Sequence, residues 1–301
     1  MLALAKRSNK IKRSLGDRTF SIFNHLFLGF CAAVCIFPLF YVFMYSITPY
    51  EDYLADPLRL FPPEVTFTAY KELFTFPLMK TGYFSTIFVT VVGTALNIFL
   101  LCITAYPLSK RNLKGRNVIM ALITFTMFFN GGMIPNYMLI RNLKLLDTYW
   151  ALILPGLTSA WYISVARNFF ATLPEEMLES ARVDGASEYR VFLQFVIPLS
   201  APILAVLALY YGIGQWNGYF NALLYLGEKN LQPLALYVRR VVIQNSLEVD
   251  NALSDLSYEQ VMSVLQIKYA VIVVAVLPIL LLYPLLSKYL QKGMLVGSLK
   301  G

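Results

Sequence analysis

The chain has 301 residues, of which 58% are hydrophobic and only 14% charged, whereas a soluble domain carries about 25% charged residues. That composition excludes an ordinary globular enzyme. The 25 Lys and Arg against 17 Asp and Glu leave a net charge of +8, and the placement of these charges, rather than their sum, separates a nucleic-acid binder from a membrane protein.

Stretches without Asp, Glu, Lys or Arg that exceed about 18 residues can cross hydrocarbon as a helix, and six of them organise the sequence. The first, 19–50, holds His25. It is far longer than the roughly 7 to 15 apolar residues of a signal-peptide core, so it reads as a first transmembrane helix. An outer segment, 49–80, rich in Pro and aromatic residues, leads to a second span at 81–109. The basic loop Lys110 to Arg116 precedes a third span at 117–140, and 141–147 connects this to a fourth at 148–166. The fifth apolar stretch, 191–227, is too long for one helix and is interrupted by Pro198, Pro202, Gly212 and Gly214. It reads as one full span followed by a helix break near the far membrane face, where irregular backbone is tolerated only when packed or lining water. An outer segment at 228–268 contains a predicted short amphipathic helix over Gln232 to Gln244 and an acidic stretch from Glu248 to Glu259, and the sixth span covers 269–287. Cys31, Cys35 and Cys102 lie within apolar runs and are odd in number, so neither a disulfide framework nor a zinc site is expected. The sequence thus predicts an all-α membrane protein of six transmembrane helices, with one transmembrane domain over 1–301.

Six spans put both termini on one side. That side, with the N-terminal 1–19, holds 16 basic and 6 acidic residues, and the other holds 9 basic and 11 acidic. By the positive-inside rule both termini are cytoplasmic, most strongly from the four basic residues of Lys110 to Arg116. The asymmetry accounts for the net +8 without nucleic acid.

Machines driven by protons or voltage need ionisable groups within the membrane, and His25, near the start of the first span, is the single candidate; its bland reading is an interfacial or packing histidine. No phosphate-binding loop, HExxH or GxSxG occurs. No catalytic residue, metal ligand or bound cofactor is expected, so uphill transport would draw its energy from a partner.

A cytoplasmic loop, ATLPEEMLESARVDGASEYRVFLQ over Ala171 to Gln194, is neither short nor strongly basic. Pro174 suits a first helical position and Glu175 and Glu176 suit the positive end of a helix dipole. The first helix should run to about Val183, with Gly185 supplying a turn and Ser187 capping a second helix. Small Ser180, Ala181 and Ala186 would leave a surface for close approach by another protein. A plain connecting helix on the membrane surface is the alternative.

Glu179, Ser180 and Ala181, then Gly185, then Ile197 and Pro198, resemble the EAA loop of ABC-importer permeases. Ser180 stands for the middle Ala, Phe195 for the usual Ile and Ile197 for the usual Leu, which spares the glutamate, glycine and proline. The string LPEEMLESARVDGA from Leu173 narrows the resemblance to carbohydrate-uptake, maltose-type permeases, as do MIPNYMLIRNLKLLDTYWALILPG from Met133, Trp216-Asn217 and QKGMLVGSLKG from Gln291. It covers most of the chain from about Phe84 onward. The resemblance implies a type I ABC-importer architecture in a bacterial plasma membrane, with a cytoplasmic coupling helix. It further implies a companion permease, two cytoplasmic ATPase subunits that hold ATP and Mg, an extracytoplasmic solute-binding protein and a sugar substrate. The implied ATPase-coupling residues are Glu179, Ser180, Ala181, Asp184, Gly185 and Ala186. A same-architecture permease for a peptide or amino acid is the alternative.

Sugars are held by aromatic faces together with hydrogen-bonding groups. Tyr211, Gln215, Trp216, Asn217, Tyr219 and Asn221, with Tyr210 and Phe220 and beside Gly212, Gly214 and Gly218, supply both in one segment. They are the candidate substrate-pathway residues. The competing reading makes Trp and Tyr an interfacial belt and the asparagines interhelical links. Asn97, Asn130, Asn136 and Tyr137 are further candidates, with interhelical hydrogen bonding as their alternative role.

Overall fold

The structure, a computed structural model, describes residues 15–56, 59–244, 266–282 and 284. The basic residues of 1–14, the acidic stretch 248–259 and the C-terminal basic end from Gln291 lie outside the described residues. Among the described residues every regular element is helical. The chain divides into two compact units, Met1–Phe67 and Thr68–Gly301.

In the first unit, helix α1 (Leu15–Ser46) contains the 28-residue apolar run Thr19–Ser46. At 1.5 Å per residue this is about 42 Å, longer than the roughly 30 Å hydrocarbon core. Phe20, Phe23, Leu26, Phe30, Ile36 and Phe37 are all exposed, and a helix apolar all round belongs in lipid. His25 Nδ1 donates to the Ser21 carbonyl at 2.6 Å. A short α2 (Tyr50–Ala55) follows.

The second unit is built on α4 (Pro77–Ser109), which follows the short α3 (Thr68–Thr75). Gly82, Thr86, Val89, Gly93, Asn97, Leu101 and Ala105 are buried at steps of three and four along α4, so one stripe of mostly small side chains meets the rest of the unit. The segment after Tyr225 seats on α4, where the Leu234 amide donates to Thr86 Oγ1 at 2.8 Å.

Two expected spans are broken. Residues 117–140 form α5 (Arg116–Phe128) and α6 (Met133–Asn142) at 111° to each other. Helix α5 ends at Phe128. Beyond it Asn130 Oδ1 accepts from the Gly132 amide at 2.8 Å, and Gly132, at a φ of +88°, precedes the first residue of α6, an Asx turn and a glycine conformation that redirect the chain. Residues 148–166 form α7 (Trp150–Ile153), a 3-10 turn at Leu154–Gly156 and α8 (Ala160–Phe170). Pro155 has no amide to continue the α7 ladder.

The 191–227 stretch also departs from expectation. Helix α10 (Glu188–Leu199) meets α11 (Ala201–Trp216) at 77°, at Ser200 between Pro198 and Pro202. Gly212 and Gly214 do not interrupt α11 at all. Gly212 packs where a Cβ would meet Thr94 Oγ1 at 3.6 Å. The helix break occurs instead after Trp216, before α12 (Phe220–Tyr225).

The amphipathic helix expected over 232–244 begins as α13 (Leu234–Arg239) and continues as a π turn, Arg240–Gln244; the last described helix is α14 (Gln266–Leu282). Among the described residues two helices are by themselves long and apolar enough to cross a membrane, Thr19–Ser46 and α4. The α5–α6 and α10–α11 pairs reach that length only as bent pairs.

Candidate functional site

The loop between α8 and α10 folds as two helices around a tight turn. Helix α9 (Glu175–Val183) ends where expected, but Pro174 stands at its cap with an extended ψ of 111°, one residue before the position predicted for it. The Gly185 amide donates to the Arg182 carbonyl at 3.0 Å and the Ala186 amide to the Ala181 carbonyl at 3.0 Å, with Gly185 at a φ of +86°. This pair of bonds is a Schellman motif, which requires the left-handed residue that glycine supplies. Ser187 Oγ then accepts from the Arg190 amide at 3.3 Å and caps α10. The DGAS string therefore ends one helix and starts the next by local chemistry.

Helix α9 is amphipathic. Glu176, Glu179, Ser180 and Val183 share the exposed face at helical spacing, while Leu178 and Ala181 are buried on the other. Ala181, expected on the docking surface, is 7% exposed and packs inward with Leu178, Val191 and Phe170. Ala186 is half-buried against the same cluster. Asp184 and Gly185 are exposed, with the Asp184 amide bonded to the Ser180 carbonyl, and Ser180 Oγ donates to the Glu176 carbonyl at 2.9 Å. Val183 and Tyr189, 87% and 83% exposed, flank the turn. Residue-by-residue motif matching could not find them, because their prominence follows from the inter-helix angle.

Charge is also arranged here. Arg182 Nε lies 2.6 Å from Glu188 Oε1, and Nη2 lies 3.4 Å from Oε2. The Arg182 bond holds the Glu188 carboxyl below the usual range. Burial, with Arg182 nearby, lowers the Lys110 ammonium, whose Nζ lies 5.0 Å over the Tyr106 ring.

The bracket is continuous with the body of the unit. One apolar cluster joins Leu101, Cys102, Ala105 and Tyr106 of α4, Ile163, Ala166 and Phe170 of α8, Leu178 and Ala181, Val191 and Val196, and Leu204, Leu207 and Tyr211 of α11. Close-packed protein interiors have low compressibility and transmit strain.

The proposed substrate segment divides between two faces. Tyr211, Gln215 and Asn221 converge on a cavity of about 240 Å³ together with Tyr162, Tyr210, Gly156 and Gly218. Tyr162 stacks on Tyr210 at 6.2 Å and meets Tyr211 edge-on at 4.6 Å. Trp216, Asn217 and Tyr219 face elsewhere, lining a second cavity of about 230 Å³ with Leu234, Val238 and Ala275. Trp216 Nε1 donates to the Ala275 carbonyl at 3.2 Å, and Arg239 lies 5.3 Å over the Tyr219 ring. Alternation around a helix separates them, since Gln215 and Trp216 are neighbours about 100° apart. Tyr162 escaped notice because its partners are 48 and 49 residues away.

Gln215 is held by α4. A Cβ on Gly93 would lie 3.0 Å from Gln215 Nε2, and that nitrogen is 3.5 Å from Asn97 Oδ1. Asn97, fully buried, donates to the carbonyls of Gly156 and Leu157 at 2.7 and 2.8 Å. It thus satisfies the backbone opened by the Pro155 break and ties that break to the cavity. Tyr137 stacks on Tyr225 at 6.2 Å, away from this site, and Asn136 and Asn130 lie at the α5–α6 break.

No family model matches the chain. Protein LplC of Bacillus subtilis (strain 168) is 44% identical over 284 residues, covering 94% of this chain and 96% of that one. The polygalacturonan/rhamnogalacturonan transport system permease protein YtcP of the same strain is 38% identical, covering 95% and 99%. A chain of a bacterial ABC transporter involved in the import of the acidic polysaccharide alginate is 33% identical, with a TM-score of 0.82 over 92% of this chain and 98% of that one. The chain belongs to the carbohydrate-uptake permeases of ABC importers. It is a transport subunit rather than an enzyme, with ATP hydrolysis left to separate subunits. The permease is a membrane protein, and its α9–α10 bracket occupies the stretch that resembles the EAA loop. The relatives favour sugar transport over the peptide or amino-acid alternative.

Proposed function

We propose that the permease forms half of the translocation pore of an ATP-driven, binding-protein-dependent importer of a sugar or oligosaccharide in a bacterial plasma membrane. A companion permease completes the pore, two cytoplasmic ATPase subunits carry ATP and Mg, and an extracytoplasmic binding protein delivers substrate. Six crossings with both termini cytoplasmic count α1, α4, the bent α5–α6 pair, the broken α7–α8 segment, α11 with its preceding bend, and α14. The observation that carries this reading is the physical continuity from the α9–α10 bracket to the tyrosine-lined cavity. Each ATPase subunit receives one permease's bracket, with Glu179, Ser180, Asp184, Val183 and Tyr189 on the docking face, and Gly185, Ala181 and Ala186 holding its shape. Val183 and Tyr189 supply apolar anchors of the kind that dominate interfaces, and Glu179 supplies a charge-assisted bond to an ATPase arginine. Nucleotide-driven movement of the docked bracket then shifts α4 and α11 together and rocks the cavity between the two membrane faces.

In the cavity, Tyr162, Tyr210 and Tyr211 offer ring faces to sugar C–H groups, and Gln215 and Asn221 offer hydrogen bonds to hydroxyls. Gln215→Ala and Tyr162→Ala should each lower uptake about tenfold, the equivalent of roughly 1.4 kcal/mol, in a reconstituted complex screened with neutral and uronate-containing oligosaccharides. Trp216→Phe, which keeps the packing side of α11, should transport near the wild-type rate. Full transport by both cavity variants would remove the pathway assignment.

Orientation has its own test in a background without Cys31, Cys35 and Cys102. A cysteine replacing Lys114 or Glu188 should react with an impermeant maleimide from the cytoplasmic side alone, and one replacing Lys229 from outside alone. Labelling at Glu188 in intact cells would reverse the topology.

A further inference from the structure

We infer that Arg182 is a positioning residue of the ATP-coupling step, locking α9 through Glu188 onto α10, the helix that packs on the end of α4. The inference rests on the coupling role proposed for the bracket.

The pair is poorly suited to holding the fold. Its side chains are 29% and 63% exposed, and surface ion pairs of that kind contribute little stability. Leu178, Ala181 and Val191 already seat the bracket through buried apolar contact. What the pair adds is geometry, because two parallel N–H to carboxylate bonds fix orientation as a single point charge cannot. Its placement is favourable at both ends. Arg182 lies in the last turn of α9 and Glu188 in the first turn of α10, so each charge complements its own helix dipole across the Gly185 turn.

Tyr106, at the last turn of α4, packs against the helix that carries Glu188. The Tyr106 ring meets Phe192 of α10 at 5.1 Å and Phe170 of α8 at 6.1 Å, with Lys110 above it. Nine residues up α4 from Tyr106, about 14 Å at 1.5 Å per residue, Asn97 and Gly93 hold Gln215. Arg182 therefore ties α9 to α10, whose Phe192 packs on α4, along the route by which a push on the bracket reaches the pathway. A partner covering the exposed pair lowers the local dielectric and stiffens it, so the clamp tightens when the ATPase docks.

The experiment uses the full complex with its binding protein in proteoliposomes. Uptake, ATP hydrolysis and ATPase retention are measured for Arg182→Glu, Glu188→Arg, the double reversal and Arg182→Lys. Each single reversal should insert and retain ATPase yet lower substrate moved per ATP at least fivefold. The double reversal should recover at least half of it, and Arg182→Lys should fall between. Wild-type coupling in both single reversals would overturn the inference. So would a double reversal as impaired as the singles, which would make Arg182 a direct ATPase contact or a fold residue. Gly185→Val, run alongside, separates the two levels: if it too leaves uptake and ATPase retention unchanged, the coupling role of the bracket itself has failed.

Discussion

Gly185→Val should abolish uptake while leaving a membrane-inserted protein. The turn holds Gly185 at a φ of +86° with no atom within 4 Å of where a Cβ would lie, so the cost is backbone strain alone. For a β-branched residue forced into the left-handed region that strain is about 1–3 kcal/mol. The chain relieves it by opening the Schellman bonds from Gly185 and Ala186, which swings α10 relative to α9. Val183, Glu179 and Tyr189 then no longer present one docking face, and the ATPase is released or uncoupled. Gly185→Asn is the informative control, since Asn tolerates the left-handed region far better; it should retain most transport. Glu179→Arg should release the ATPase by a different route, turning a charge-assisted contact of roughly 1.5–3 kcal/mol into repulsion. In both variants capture of sugar by the binding protein should be untouched. Co-purification of the ATPase and vesicle uptake read these effects, and normal values for both variants would refute the coupling assignment.

Asn97→Leu should destabilise the permease and silence transport together. Its side chain is fully buried and satisfies the carbonyls of Gly156 and Leu157, which the Pro155 break leaves outside any helical ladder. Leucine removes both donors, and each orphaned carbonyl costs about 1–3 kcal/mol. It also frees Gln215, because the amide between them is lost. Thermal unfolding in detergent should fall measurably and uptake should be lost even at low temperature. Asn97→Gln, which keeps the donor on a longer arm, should recover part of the stability. Unchanged unfolding in Asn97→Leu would mean that water serves these carbonyls.

The sequence by itself determined the features that rest on local chemistry. Apolar length placed α1 and α4, because a run without charges has no other inexpensive solvent. The Gly185 turn, the Ser187 cap and the end of α9 at Val183 were all legible from DGAS, since each depends on residues within one turn of the chain. Tertiary structure decided the rest. The breaks at Asn130–Gly132 and Pro155 lie in apolar runs that read as continuous spans, because hydrophobicity alone does not report where side chains elsewhere will satisfy an opened backbone. Asn97 does so for Gly156 and Leu157 from about sixty residues away. The same long-range packing turned Ala181 inward, set Tyr162 beside Tyr210 and Tyr211, and sent Gln215 and Trp216 to different cavities. Composition placed six aromatic and amide residues in one segment; only the rotation of α11 against α4, set by the close approach of Gly93 to Gln215 and Gly212 to Thr94, decided which of them share a cavity.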